Sequence, residues 1–290
     1  MHNPPLANAV RRRCARFGAL TTTVALGIAI VASTASASTP GCTLTPTNGT
    51  VSRTVGTRNY ELHVPTGLTG TQVPLLLSLH GAGSNGSQDE MFTGWSQFAD
   101  AHNFIVAYPD AGTSNGSGVW DPYTQGSQDV AFARAVVADI SASRCVDPHR
   151  VYVDGWSNGA VMSQRVACNA ADTFAAATSY AGGSPTTGGV GAAPCTPSRP
   201  IAVGLLAGQE DFTYPALAAN AAEWGGYDRC STTPAAESDA YGATSTYSCA
   251  AGTQVFSRVV NNTSHNWPSG AQGEDQRQRM WAFFAANPRP

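Results

Sequence analysis

Residues 151–168 read VYVDGWSNGAVMSQRVAC, and this stretch decides the fold. A short β-rich run leads into a glycine–x–serine–x–glycine motif, Gly155 to Gly159, and helix-forming residues follow it. In this setting the motif predicts a tight turn between a strand and a helix, with strained backbone at its serine. Glycine suits the two flanking positions because a side chain there would collide with neighbouring strands. The stretch therefore predicts that Ser157 stands clear of the sheet as a candidate nucleophile.

Short apolar runs alternate with helical patterns on both sides of this stretch. Such alternation predicts an α/β fold, with a mostly parallel central sheet and helices on both faces. The predicted strands are 60–64, 74–79, 104–108, 151–154, 178–181, 201–206 and 255–260. The predicted helices are 91–102, 129–143, 158–168, 217–224 and 275–287. Chemistry in such sheets lies at the carboxyl ends of the strands, where Ser157 is expected.

A serine needs an adjacent base to react at neutral pH, and the histidines limit the choice. His265 is the one histidine that follows Ser157, and it lies in a loop between the last predicted strand and the last helix. The chain order serine, acid, histidine places the acid between these two residues. Asp211, in the loop after the strand 201–206, is the expected acid, with Glu210 as the fallback. Its role would be to hold the imidazole in the correct tautomer.

Stabilising an oxyanion requires two convergent backbone N–H groups. The residue after the nucleophile, Asn158, supplies one of them at the start of a helix. The second is expected from the loop His80-Gly81-Ala82-Gly83, which follows an early strand and whose glycines permit close approach. The N–H of Ala82 is the predicted donor; the alternative is that this segment is simply a flexible loop.

The N-terminus has the layout of a signal peptide over residues 1–37. Four arginines between positions 11 and 16 precede an apolar run, and Ala35-Ser36-Ala37 supplies small residues for cleavage. A membrane anchor is the alternative, but the run is shorter than the roughly 20 residues that a spanning helix needs. A lipid anchor at Cys42 is a further alternative. Residues 38–290 are expected to form a single catalytic domain.

Charge narrows the class of partner. The chain has no lysine, and removal of the leader would leave 12 arginines against 19 acidic residues, a net charge of −7. The absence of a basic patch argues against nucleic acid and against anionic membranes as partners. The predicted chemistry needs no cofactor, so neither a metal nor an organic group is expected.

Cysteine usage agrees with an extracellular location. Removal of the leader leaves six cysteines, which permit 15 different pairings. The expected disulfides are Cys42 with Cys145, Cys168 with Cys195, and Cys230 with Cys249. A metal site is the alternative, but no pair has the C-x-x-C spacing and histidines are sparse.

Several motifs, in order, resemble the polyhydroxybutyrate-depolymerase-like esterases, a family that includes many feruloyl esterases. The motifs are Leu79–Gly83, Phe104–Pro109, Gln128–Val130, Val146–Val153, Gly155–Met162, Gly208–Tyr214 and Ser264–Pro268. The resemblance spans roughly residues 55–285 and implies the α/β-hydrolase fold, with Ser157, Asp211 and His265 as catalytic triad. Two positions depart from the family pattern: Ala82 stands where cysteine is frequent, and Ala207 where histidine is usual.

Together these observations predict a secreted serine esterase that works by two-step acyl transfer. Trp156, Trp267 and Trp120 are candidate substrate-binding residues, because indoles near the cleft could stack on a hydroxycinnamoyl ring or a sugar. Trp95 and Tyr123 lie on segments that could also reach the cleft, and all five could instead belong to the core. The family implies feruloyl esters of plant polysaccharide as substrate, with polyhydroxybutyrate as the alternative. A non-catalytic secreted binding protein and a secreted peptidase are the rival classes.

Overall fold

Six apolar runs form the parallel centre of one sheet. In the computed structural model, which describes residues 41–47, 49–112, 118–124, 126–187 and 192–290, ten strands pair in the order β1-β2-β4-β3-β5-β6-β7-β10-β9-β8. The strands are β1 (Thr50–Val55), β2 (Arg58–His63), β3 (Val73–Leu79), β4 (Ile105–Pro109), β5 (Val146–Gly155), β6 (Ala176–Tyr180), β7 (Ala202–Gly208), β8 (Ala235–Asp239), β9 (Gly242–Ser248) and β10 (Gln254–Val260). The run from β4 to β10 is parallel throughout.

Helices cover both faces of this sheet. They are α1 (Gly86–Thr93), α2 (Trp95–His102), α3 (Gln128–Ser143), α4 (Asn158–Ala170), α5 (Leu217–Tyr227) and α6 (Gly270–Ala286). Alternate residues of β3 belong to two apolar layers on opposite faces of the sheet. Leu75 and Leu77 pack with α3, α4 and α5, whereas Leu76 packs with α2 and α6. The predicted α/β architecture, a mostly parallel sheet with helices on both faces, is thereby confirmed.

The sheet edges differ from the prediction. The polar strands β1, β8 and β9 were absent from the sequence expectation, and they form antiparallel hairpins at the two edges. Strands β1 and β9 are only partly buried and β8 is exposed throughout, so all three lack the continuous apolar run that marks the central strands. The helix predicted over 91–102 is two helices, because Gly94 adopts left-handed backbone (φ 65°) and ends α1.

Three disulfides join distant parts of this domain. They link Cys42 with Cys145, Cys168 with Cys195, and Cys230 with Cys249, which are the three pairs expected from the sequence. The Cys42–Cys145 bond encloses 103 positions and ties the segment before β1 to the end of α3. The predicted signal peptide, residues 1–37, lies outside the described residues, and the domain boundary stays a prediction.

No helix within the described residues is long and apolar enough to span a membrane.

Candidate active site

The turn between β5 and α4 presents Ser157. Its backbone is left-handed (φ 56°, ψ −118°), a strained conformation for a residue with a side chain. Packing of the turn explains the glycines: a Cβ at Gly155 would lie 2.1 Å from the carbonyl oxygen of Gly159. A Cβ at Gly159 would lie 1.9 Å from the carbonyl oxygen of Leu79. The turn is therefore locked against β3, and the serine side chain projects beyond the sheet edge.

His265 meets this serine from a loop between β10 and α6. Its Nε2 lies 2.8 Å from Ser157 Oγ, across 108 positions of sequence. The loop is held from two sides: the Tyr180 hydroxyl donates to the Asn266 carbonyl (2.8 Å), and Gly208 packs directly on the Thr263 carbonyl. The imidazole is thus fixed at the carboxyl edge of the sheet, in hydrogen-bonding contact with the serine.

Asp211 completes the chain of contacts from the loop after β7. Its Oδ2 lies 2.9 Å from His265 Nδ1, and its side chain is fully buried in this contact. The other oxygen, Oδ1, accepts hydrogen bonds from the backbone N–H (2.7 Å) and the hydroxyl (2.8 Å) of Thr213. Glu210, the fallback acid, is exposed. The structure therefore brings Ser157, His265 and Asp211 together in one hydrogen-bonded row.

Two backbone segments near Ser157, at Gly81–Ala82 and at Asn158, carry the N–H groups that the sequence predicts as oxyanion donors. Gly81 passes so close that a Cβ on it would lie 3.4 Å from the Ser157 Cβ and 2.7 Å from the Trp156 ring. Within the described part of the chain, neither the Ala82 nor the Asn158 backbone N–H has a hydrogen-bond acceptor. Two free donors beside a hydroxyl can stabilise negative charge that develops on a bound oxygen.

Two buried carboxylates lie beneath the turn. Asp154 accepts hydrogen bonds from the Trp95 indole (2.9 Å) and the Thr178 hydroxyl (2.9 Å), and Asp89 accepts one from Ser78 (2.6 Å). Burial raises the pKa of Asp154 to about 6. Burial, with a smaller contribution from the charge of Asp154, raises the pKa of Asp89 to about 7. These two carboxyl groups, which we call the floor of the site, are therefore expected to change their charge near neutral pH.

The tryptophans singled out by the sequence have different environments. Trp156 is half-buried, with its ring stacked on Phe92 (5.5 Å) and 5.7 Å from the His265 ring. Trp120 and Trp267 are only 3% and 6% exposed and pack inside the walls of the site. Trp95 is fully buried in the core, and Tyr123 is half-buried. Of the three candidates, Trp156 alone is not classed as buried.

An apolar rim was missed by the sequence analysis. Five large hydrophobic residues are exposed in the structure, namely Met91, Phe92, Val119, Phe212 and Tyr214. We call them the apolar rim because two of them, Phe212 and Phe92, contact the rings of His265 and Trp156. Phe212 is 76% exposed although its ring lies 4.4 Å from that of His265. Met91 and Phe92 line a shallow groove with Trp267 and Pro268. The sequence offered one signal only, the position of Phe212 directly after the expected acid.

The remaining histidines contact other groups. His63 pairs with Asp100, His102 stacks on Phe98, and His149 contacts carbonyl groups near the C-terminus. His80 is buried beside the turn and does not contact the triad. Among the described residues no cluster of three or more His, Cys, Asp or Glu side chains has a geometry that could hold a metal ion.

The sequence is similar to a family model and to proteins named as esterases. A family model described as "Esterase PHB depolymerase" matches residues 58–191. "Putative esterase NocK" of Nocardia uniformis subsp. tsuyamanensis is 32% identical over 240 residues, which are 80% of this chain and 62% of that protein. "Feruloyl esterase B" of Piromyces equi is 27% identical over 241 residues, 75% of this chain and 44% of that protein. The chain thus spans less than two thirds of either relative.

A solved structure, an acetyl xylan esterase from Aspergillus awamori, superposes with a TM-score of 0.61 at 19% identity. The match covers 79% of this chain and 94% of the other. At this identity the likeness concerns the fold alone, and it confirms the α/β-hydrolase fold predicted from the sequence.

Proposed function

We propose that the chain is a serine carboxylic ester hydrolase of the polyhydroxybutyrate-depolymerase-like esterase family. The observation that carries this proposal is the hydrogen-bonded row from Asp211 through His265 to Ser157. A serine hydroxyl reacts readily only when a base is in position to take its proton. Here that base is in contact with the hydroxyl and is itself held by a buried carboxylate.

The proposed reaction has two steps. His265 takes the Ser157 proton as Oγ attacks the ester carbonyl carbon, and the same proton then goes to the departing alcohol. In the second step His265 takes a proton from water as the water oxygen attacks the acyl carbon, and it then gives this proton to Ser157 Oγ as the acyl–oxygen bond breaks, which releases the acid and free Ser157. Asp211 keeps Nε2 of the imidazole facing Ser157 and stabilises the imidazolium.

The N–H groups of Ala82 and Asn158 are the proposed oxyanion donors. A backbone donor stabilises the tetrahedral intermediate more than the planar ester, because the oxygen moves and gains charge in that step. In comparable sites the loss of one donor costs about 3 kcal/mol of transition-state stabilisation. The family frequently has cysteine at this position, but Ala82 can fill the same role because the donor is a backbone N–H.

The proposed substrate is an ester with an aromatic acyl group, of the feruloyl type, carried by plant polysaccharide. Phe212 packs against the His265 ring, and Phe92 stacks on Trp156, whose ring also lies near that of His265. Exposed aromatic rings near the base favour stacking on a planar acyl group. The name of the Piromyces equi relative agrees with this class. The apolar rim as a whole favours a second candidate, a polyhydroxybutyrate-type polyester, whose repeating unit is aliphatic.

The proposed location is extracellular. Three disulfides are typical of chains that mature in an oxidising compartment, and the N-terminal residues have the pattern of a signal peptide. A secreted enzyme would meet polymeric esters directly, which agrees with an open site edged by exposed apolar side chains.

The test is hydrolysis of p-nitrophenyl acetate by wild type and by Ser157→Ala. We expect turnover by the wild type and loss of at least about a thousandfold in the variant, since removal of a nucleophile has that order of effect. Ser198→Ala is the matched control and should keep full activity, because this exposed serine precedes β7 at the opposite end of that strand from Asp211. Equal activity in wild type and Ser157→Ala would refute the proposal.

A panel of methyl ferulate, acetylated xylan and polyhydroxybutyrate emulsion then separates the substrate classes. A peptide substrate in the same panel tests the peptidase alternative. Binding of polysaccharide without turnover of any ester would favour the non-catalytic class instead.

A further inference from the structure

Trp120 is hydrogen-bonded to both segments that carry the proposed oxyanion donors. On one side, its backbone N–H donates to Asn158 Oδ1 (2.7 Å), and Asn158 Nδ2 donates to the Trp120 carbonyl (3.2 Å). On the other side, its indole Nε1 donates to the His80 carbonyl (2.9 Å). A single buried residue therefore bridges the start of α4 and the loop after β3.

The His80 side chain extends this bridge by one further step. Its Nδ1 donates to the Gly81 carbonyl (2.7 Å), and the Ala111 backbone N–H donates to its Nε2 (3.0 Å). This pattern requires a neutral imidazole protonated on Nδ1, and burial lowers the pKa of His80 in agreement with that state. Both ring nitrogens are occupied, so His80 serves to hold the backbone and is not a second base.

Fixing the Gly81 carbonyl also fixes the next donor along the chain. In a planar trans peptide the carbonyl and the following N–H point in opposite directions. The Gly81 carbonyl accepts from His80 and also from the Ser84 backbone N–H (3.2 Å), so the Ala82 N–H points away from both. Gly81 itself lies directly against Ser157, so this N–H belongs to a peptide adjacent to the reacting centre.

We propose that Trp120 is a positioning residue that sets the spacing between the Ala82 and Asn158 N–H groups through one continuous hydrogen-bond network. The network runs from the Asn158 side chain through Trp120 and His80 to the Gly81–Ala82 peptide. The inference rests on the proposed ester hydrolysis. It gives Trp120 a different task from substrate stacking, in keeping with its nearly complete burial.

The sharpest variant is Trp120→Phe. It removes the indole donor to His80 while it keeps an aromatic ring beside His80 and both backbone bonds to Asn158. Displacement of a catalytic group by about 1 Å can cost up to about a hundredfold in rate. We therefore expect kcat on p-nitrophenyl acetate to fall by about 10-fold to 100-fold with KM changed less than about 2-fold.

The dissociation constant of a boronic acid is a second measurement, and a purely structural role of Trp120 would leave it unchanged. Phenylboronic acid adds to a serine oxygen to form a tetrahedral anion, so its affinity follows the quality of the oxyanion donors. We expect its dissociation constant to rise in Trp120→Phe by about the same factor as kcat/KM falls. Trp281→Phe is the matched control, because that half-buried indole packs on Phe104, which belongs to the apolar layer of the α2 and α6 face.

Asn158→Ala breaks the network at its other end and keeps the Asn158 backbone donor. We expect the same pattern, and the double variant should lose little more than the worse single variant, because both changes release one network. If Trp120→Phe fails to fold, as judged by circular dichroism, Asn158→Ala carries the test with the same two readouts.

Unchanged kcat and boronate affinity in these variants, with Ser157→Ala inactive, would overturn the inference and leave the proposed function standing. A rise in KM alone would also overturn it, because it would make Trp120 a binding residue. Wild-type turnover in Ser157→Ala would instead refute the proposed function itself.

Discussion

The centre of the site and its apolar rim are built in opposite ways. At the centre, Asp211 is fully buried and each of its two oxygens has a hydrogen-bond partner. At the rim, Phe92 and Phe212 are 55% and 76% exposed and touch the centre only through ring contacts. A hydrogen-bonded, buried group tolerates little change, whereas an exposed ring can be exchanged at small cost in stability. We therefore expect central changes to act on every ester and rim changes to act on selectivity.

The largest expected effect tests the centre. Asp211→Asn keeps the size of the side chain but places an amide beside His265 Nδ1, which favours the wrong imidazole tautomer. We expect kcat on p-nitrophenyl acetate to fall by about 10³-fold to 10⁴-fold. The loss should be similar for methyl ferulate, because the tautomer of the base matters for both esters.

Glu210→Gln is the matched control for Asp211→Asn, since it makes the same change one position earlier at an exposed side chain. We expect its kinetics to stay close to those of the wild type. A large loss in Glu210→Gln with normal activity in Asp211→Asn would make Glu210 the acid and would contradict the geometry described above.

The second effect concerns Asp89, in the floor of the site, and is measured as a change in the free energy of unfolding. Burial raises the pKa of Asp89 to about 7, so this group holds more protons in the folded than in the unfolded chain between about pH 4 and pH 7. The stability that this protonation contributes is present below pH 4 and is lost as the pH rises to 7. Asp89→Asn, which cannot ionise, should therefore flatten this decline by up to about 4 kcal/mol.

Urea unfolding at several pH values checks this expectation. Near pH 4 the variant and the wild type should have similar free energies of unfolding, because Asp89 is neutral in the folded wild type. At pH 7.5 the variant should be the more stable of the two. Parallel stability curves across this pH range would show that Asp89 does not titrate as the burial of its side chain implies.

The contrast between centre and rim also explains which features could be predicted from sequence. The turn around Ser157 was accessible because strand, glycines and helix are contiguous, and sequence order then selected His265. The loop after the strand 201–206 indicated Asp211, with Glu210 as the fallback. The structure brings these three residues together, as Nε2 and Nδ1 of one imidazole join both partners. The fold followed from central strands that are apolar on both faces.

The rim could not be predicted because exposure is a property of the folded surface. Phe92 and Trp95 lie three positions apart in one helical pattern, yet the break at Gly94 leaves Phe92 exposed and Trp95 in the core. Trp120 is the opposite case. It follows a glycine- and serine-rich segment typical of a loop, but it is buried and its backbone and indole N–H groups donate to Asn158 and His80. Strands β1, β8 and β9 were missed because their pairing depends on neighbours rather than on apolar pattern.

The smallest expected effect sharpens the comparison most. Phe212→Ala removes an exposed ring that lies against His265 and borders the proposed acyl site. We expect the ratio of kcat/KM on methyl ferulate to that on p-nitrophenyl acetate to fall by about 2-fold to 10-fold, since an aromatic contact contributes about 0.5 to 1.5 kcal/mol beyond its area. Stability should change by less than about 1 kcal/mol, because the side chain is mostly exposed.

Phe212→Leu distinguishes stacking from simple apolar contact. If the rim recognises an aromatic acyl group, leucine should leave the ferulate ratio nearly as low as alanine does, because it has no ring face. If the rim serves an aliphatic polyester, leucine should restore activity on polyhydroxybutyrate emulsion while the ferulate ratio is unaffected by either change. Equal losses on both soluble esters would place Phe212 with the centre, as a support for His265, and the division between centre and rim would then fail at this residue.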